Sequence, residues 1–254
     1  MANDAFFSLA ALKAIEPAHL GLNFHMEVDM DLGKAFSFTF DDPDWVKKVL
    51  LGGVISLVPI LNFAATGYSL EVTKRVLNND PRPLPEWDDI GGKLVKGLLY
   101  TVVAFVYALP ILLLVCLMQG GIMLLGGAAS SSSQSASDAA GGAVAAISIC
   151  FSCLMVIYGI LMAIVLPAAI GNFAAKDQVG AAFRFGDIIK LVQKNISVYA
   201  MVLVIEVLAG LIASIVGSVA CGIGILFTGF WSLLVIGHAA GQAYREASAN
   251  VGLV

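Results

Sequence analysis

The chain has 254 residues, of which 59% are hydrophobic and only 13% charged, with a formal net charge of −4. A soluble domain carries roughly 25% charged residues, so composition excludes an ordinary aqueous protein. The slight acidic balance also excludes a general basic field for nucleic acid. The natural division is a short extension, residues 1–31, followed by one membrane domain, residues 32–254.

The extension opens with an amphipathic stretch, residues 4–15, in which Asp4 caps a short helix and Pro17 ends it. Phe6, Phe7, Leu9, Ala10 and Leu12 suit a membrane interface. No basic n-region leads into a long apolar run, since the first basic residue is Lys13, so the spans themselves are expected to direct insertion. Next, Leu20, Leu22, Phe24, Met26, Val28, Met30 and Leu32 alternate with mostly polar residues, the pattern of a strand with two unlike faces. A lone strand is unstable in water. It must lie on the membrane domain or pair with a neighbouring copy, which would make a homo-oligomer. His19, His25, Glu27, Asp29 and Asp31 share the polar face, but acidic runs beside a membrane are usually just solvated, and no metal or cofactor is assigned to them.

The first apolar segment, residues 49–72, is long enough to cross a bilayer. A single crossing would separate Lys47 and Lys48 from Lys74 and Arg75. Pro59 and Asn62 interrupt its middle, and proline breaks a helix. A re-entrant or broken helix pair that returns to its starting side keeps every basic residue cytoplasmic, and it is favoured over five straight spans. Asn62 is expected to satisfy backbone groups freed beside Pro59. Residues 78–96 hold Pro81, Pro83, Pro85, Glu86, Trp87, Asp88 and Asp89. This stiffened loop reads as a docking element, for the bundle itself or for a protein partner at the cytoplasmic face. Trp45 and Trp87 are its candidate interfacial anchors.

Four long apolar runs follow, at residues 97–125, 143–169, 196–216 and 219–241. The Ser/Ala/Gly-rich stretch 128–142 reads as a flexible connector. It and the 217–222 turn lack lysine and arginine, so both should lie outside, with both termini cytoplasmic. Cys116, Cys150, Cys153 and Cys221 all fall in these spans, where packing as small apolar side chains is the expected role.

Glu206 sits near the middle of the third run, where a carboxylate must be neutral, paired or facing a wet cavity. Counting back through the turn puts it level with Thr228, Trp231 and Ser232, its expected partners. His238 should fall near the cytoplasmic end of the last helix, among headgroups or loop carboxylates, and Gln119 is a further intramembrane polar residue. Gly237 and Gly241 form a small-xxx-small stripe, and Gly217 with Cys221 has the same spacing. Such stripes pack helices closely, within a subunit or between copies.

An aromatic–acidic–basic pattern precedes three apolar runs, at Phe40 to Lys48, Trp87 to Lys96 and Phe185 to Lys194. Thr66-Gly67-Tyr68 echoes Thr228-Gly229-Phe230, and Ala35-Phe36-Ser37-Phe38 echoes Ala182-Phe183-Arg184-Phe185, which suits an old duplication. The stretches FDDPDWVKKVLLGGVISLVPILNFAATGY, NNDPRPLPEWDDIGGKLVKG, FRFGDIIKLVQKN and GHAAGQAYRE resemble a prokaryotic integral-membrane family known as a domain of unknown function, number four thousand and thirteen. The likeness runs from Met30 to about Arg245, with PRPLPEWDD its most specific part. It implies a multi-helix protein of a bacterial or archaeal plasma membrane, in which residues 1–29 would be an addition. It supplies no reaction and no site.

The expected architecture is all-α: a polytopic bundle of four full spans plus a re-entrant or broken N-terminal helix pair, with a possible short N-terminal strand. No nucleophile–base pair or ligand set converges on one depth. The expected function is a non-enzymatic, self-associating membrane scaffold or assembly subunit, without cofactor. The alternative is a small transporter or channel using Glu206.

Overall fold

In the computed structural model, residues 30–129, 134–219 and 222–252 are described. The expected helix at residues 4–15, most of the expected strand, the histidine–carboxylate face before Met30 and Cys221 lie outside them. Among the described residues the protein is all-helical, and Leu32, the last position of the strand pattern, starts a helix instead.

The elements are α1 (Leu32–Ser37), a 3-10 turn (Phe38–Asp41), α2 (Trp45–Leu57), α3 (Asn62–Leu77), α4 (Ile90–Ala129), α5 (Gln134–Lys176), a second 3-10 turn (Val179–Phe183), α6 (Phe185–Lys194), α7 (Ile196–Val219) and α8 (Gly224–Val251). Four helices, α4, α5, α7 and α8, are long and apolar enough to cross a membrane, which makes this a multi-pass membrane protein. The apolar segment 49–72 is broken into α2 and α3 at Pro59, where Asn62 closes the turn through its backbone N–H on the Val58 carbonyl (2.8 Å). The Asn62 side chain itself is exposed.

The helices outrun the apolar pattern. α4 and α5 have 40 and 43 residues, about 60 and 65 Å at 1.5 Å per residue. Most of the stretch expected as a flexible connector at 128–142 is helical from Gln134 onward, because its alanines favour helix over loop. Cys116, Cys150 and Cys153 are exposed there rather than packed inside. A thiol behaves as a small apolar group and sits as well against lipid as in a core.

The core gathers α3, α8, α7 and the lower parts of α4 and α5 around Val103, Phe173, Tyr199, Val202, Ile205 and Ala239. A second cluster under α2 holds Phe38, Tyr68, Val72, Leu84, Phe230 and Leu234. Just beyond the end of α3, Asn79 takes the left-handed conformation (φ 54°) that asparagine tolerates, and Arg245 of α8 donates to the Asn79 side chain and to the Val76 carbonyl.

Candidate functional site

The legs of the α2–α3 pair lead to one carbonyl. Lys48 near the start of α2 and Arg75 near the end of α3 both donate to the Leu84 carbonyl, each at 3.5 Å. The pair therefore folds back on itself, and both basic ends lie on one side of the molecule. The apex between them, Leu57, Val58 and Ile60, is apolar and exposed.

The proline-rich loop closes this end as a cap on the bundle. Tyr68 donates its hydroxyl to the Pro85 carbonyl (2.7 Å), and Trp87 stacks on the Tyr68 ring (centroids 4.5 Å apart). The Trp87 indole donates to the Lys48 carbonyl (3.1 Å), while Trp45 packs edge-on against Phe40. Two buried ammonium groups are fully engaged: Lys48 pairs with Asp42 (2.8 Å) and Glu86 (2.7 Å), and Lys93 with Glu71 (3.2 Å) and Asp88 (3.6 Å). Burial pushes the Asp42 carboxyl up. The Lys48 hydrogen bond, the Asp44 backbone and the charges of Lys48 and Arg82 together outweigh it and hold the group below the usual carboxylate range. Burial likewise lowers Lys48, but its two carboxylates win and raise it.

α3 and α8 run side by side on hydroxyls and glycines. Ser69 donates to the Leu233 carbonyl (2.8 Å) and Thr73 to the Gly237 carbonyl (2.9 Å). A Cβ on Gly237 would meet the Ser69 carbonyl, and one on Gly241 the Thr73 carbonyl, each at 2.8 Å. The Gly237/Gly241 stripe is thus filled within the subunit. Gly217 serves the α7–α8 hairpin in the same way, against Ile225 and Thr228.

Glu206 is half-buried and lines a cavity of about 30 Å³ with Ser69, Thr73, Tyr100, Pro167 and Gly237. That is room for about one water. Five helices, α3, α4, α5, α7 and α8, converge on it. Pro167 lacks an N–H, so the Ala163 carbonyl loses its helical donor one turn away in α5.

The expected partners of Glu206 sit elsewhere. Thr228 donates to the carbonyls of Ala213 (2.8 Å) and Gly224 (3.0 Å). Two turns further from the loop on each helix, Glu206 comes level with Ile236 and Gly237. The count from sequence failed because α7 runs on to Val219 and α8 starts only at Gly224. Trp231 packs beside Phe36 and Phe40, its indole N–H buried without a partner, and Ser232 is buried but does not line the cavity. His238 is buried instead of reaching the surface. It stacks on Phe38 (4.2 Å) and takes a hydrogen bond from Gln242 (3.0 Å), whose carbonyl accepts the Asp31 N–H (2.9 Å). Gln119 is exposed on α4.

Tyr100, Ser69, Thr73 and Pro167 were missed as site residues. The Ser69/Thr73 pair had a readable signal, two hydroxyls one helical turn apart on one face of α3. Tyr100 and Pro167 had none that distinguishes them from other residues of their runs.

A family model described as "Protein of unknown function (DUF4013)" matches residues 51–222. The chain belongs to this family. No curated protein and no solved structure matches it. The matched DUF4013 segment takes in the α2–α3 break, the proline-rich cap, Tyr100, Pro167 and Glu206. Asp42, Lys48 and the Gly237/Gly241 stripe lie beyond it.

Proposed function

We propose that this DUF4013 protein is a small, non-enzymatic transporter or channel that passes a proton or a small cation by way of Glu206. Its setting is the plasma membrane of a bacterium or archaeon, with the cap and both termini cytoplasmic. One observation carries the reading: a carboxylate in a membrane helix opens into a water-sized cavity where five helices meet and where Ser69, Thr73 and Tyr100 interrupt an otherwise apolar lining. An ionisable group inside a bundle is costly to insert, about 2.5–3.5 kcal/mol, and is retained where it handles charge. The cavity is too small for an organic solute, which limits the cargo to a proton or a stripped cation.

The α2–α3 pair is re-entrant in this reading. Its legs, 13 and 16 residues, reach about 20 and 24 Å, each short of a hydrocarbon core of about 30 Å. Labelling of single cysteines placed at 47 and 74 should reach both from the same side. The scaffold reading has less support, since the glycine stripe is occupied by α3 and self-association then falls to residues 1–29.

The test is flux. Protein in liposomes loaded with a pH-sensitive dye should carry protons, or sodium or potassium followed with ion-selective dyes. Glu206→Gln should return the rate to that of empty vesicles, while Thr228→Val should leave it unchanged. Absence of flux for every one of these ions in the unaltered protein ends the proposal.

A further inference from the structure

α6 is the one short helix set between two spans, and it shows three kinds of surface. Ile188 and Leu191 are buried against the bundle. Phe185 and Ile189, one turn apart, are half exposed as an apolar ridge. Arg184, Lys190 and Lys194 are exposed, and none of them forms an ion pair with a described residue. The only acid on the helix, Asp187, is directed at Lys176 (3.8 Å), so the helix keeps an uncompensated positive charge.

Its depth is set by α4. Tyr107, inside the first span, donates its hydroxyl to the Ala182 carbonyl (2.8 Å), and its ring lies 5.7 Å from that of Phe185. The ridge is therefore pinned to the flank of a helix long and apolar enough to cross a membrane, the setting in which an in-plane helix sinks its apolar side. Water cannot cover Phe185 and Ile189 there without loss, and the neighbouring cations call for a negative partner.

We infer that α6 binds anionic phospholipid, with Phe185 and Ile189 among the acyl chains and Arg184, Lys190 and Lys194 on the headgroup phosphates. A lipid satisfies both surfaces at once, apolar below and anionic above, as a soluble anion or an acidic peptide does not. The other exposed cations without an ion pair to a described residue, Lys47 and Arg82, flank the α2 end and serve as the internal comparison. This inference does not depend on Glu206 or on flux.

The experiment is native mass spectrometry of the full chain, released from detergent after incubation with equal amounts of phosphatidylglycerol and phosphatidylcholine. The unaltered protein should retain phosphatidylglycerol in preference. Arg184→Gln/Lys190→Gln/Lys194→Gln should lower that preference at least about fivefold, the effect of roughly one lost headgroup contact. Arg184→Lys/Lys190→Arg/Lys194→Arg should keep it, and so should Lys47→Gln/Arg82→Gln. Should the triple glutamine variant fail to elute as one species, Lys190→Gln/Lys194→Gln leaves the helix start intact and should show the same direction of change. An unchanged preference in whichever of the two α6 glutamine variants folds, or an equal loss in Lys47→Gln/Arg82→Gln, overturns the inference. Retention of inorganic phosphate in place of lipid also overturns it.

Discussion

α5 carries the most apolar stretch of the four long helices and buries none of it, whereas α8 is the least apolar of the four and buries half. In water the order would be reversed. Lipid is as apolar as leucine, so α5 gains nothing by hiding its isoleucines and valines. α8 is held by what lipid does not offer: carbonyls within reach of Ser69 and Thr73, a glycine surface that fits α3, and an Arg245 that caps the end of its neighbour. Specific packing between α3 and α8 is carried by small and polar residues, whereas the large apolar side chains along the most apolar stretch of α5 face outward.

Gly241→Val should break that contrast most severely. Its new side chain runs into the Thr73 carbonyl and Val76, and unfolding in detergent should register a loss of about 3 kcal/mol or more. Lys48→Met comes next. It strands Asp42, itself nearly buried, and should cost about 3 kcal/mol.

The same pair gives a pH signature. Asp42 titrates lower in the folded protein than in the unfolded chain, so its stabilisation is present above about pH 4 and is lost as pH falls through the lowered native value. Lys48 titrates higher when folded, so its share holds below about pH 10.4 and goes only as pH rises through the raised native value. Unfolding midpoints across pH 3 to 7 should therefore drop at the acid end in the unaltered protein, and drop less in Lys48→Met.

Thr73→Val removes one hydroxyl bond between α3 and α8 and should cost only about 0.6 kcal/mol. Smallest of all, Ile149→Ala on the bare flank of α5 should change stability by less than about 0.5 kcal/mol, although it deletes more apolar surface than Thr73→Val does. A larger loss at Ile149 than at Thr73 would reverse the lesson.

The spans, the break at Pro59, the docking of the proline-rich loop and the family were legible because each rests on a local signal: run length, a missing donor, a cluster of prolines, a distinctive word. The neighbours of Glu206 were not, since they depend on where a turn begins, and a shift of a few residues there rotates and slides one helix past the other. The surface that Gly237 and Gly241 meet was equally hidden, because the same stripe suits a neighbour in the chain or a second copy. The burial of Lys48 and Lys93 was hidden too, because they are clamped by Glu86 and Glu71, acids that sequence separates from them.

With one carbonyl, that of Leu84, accepting from both Lys48 and Arg75, this link between the legs of the broken pair cannot form until the segment that follows both has been synthesised. Lengthening the chain between Arg82 and Leu84 should delay that link while leaving the Arg245 contacts to Val76 and Asn79 in place.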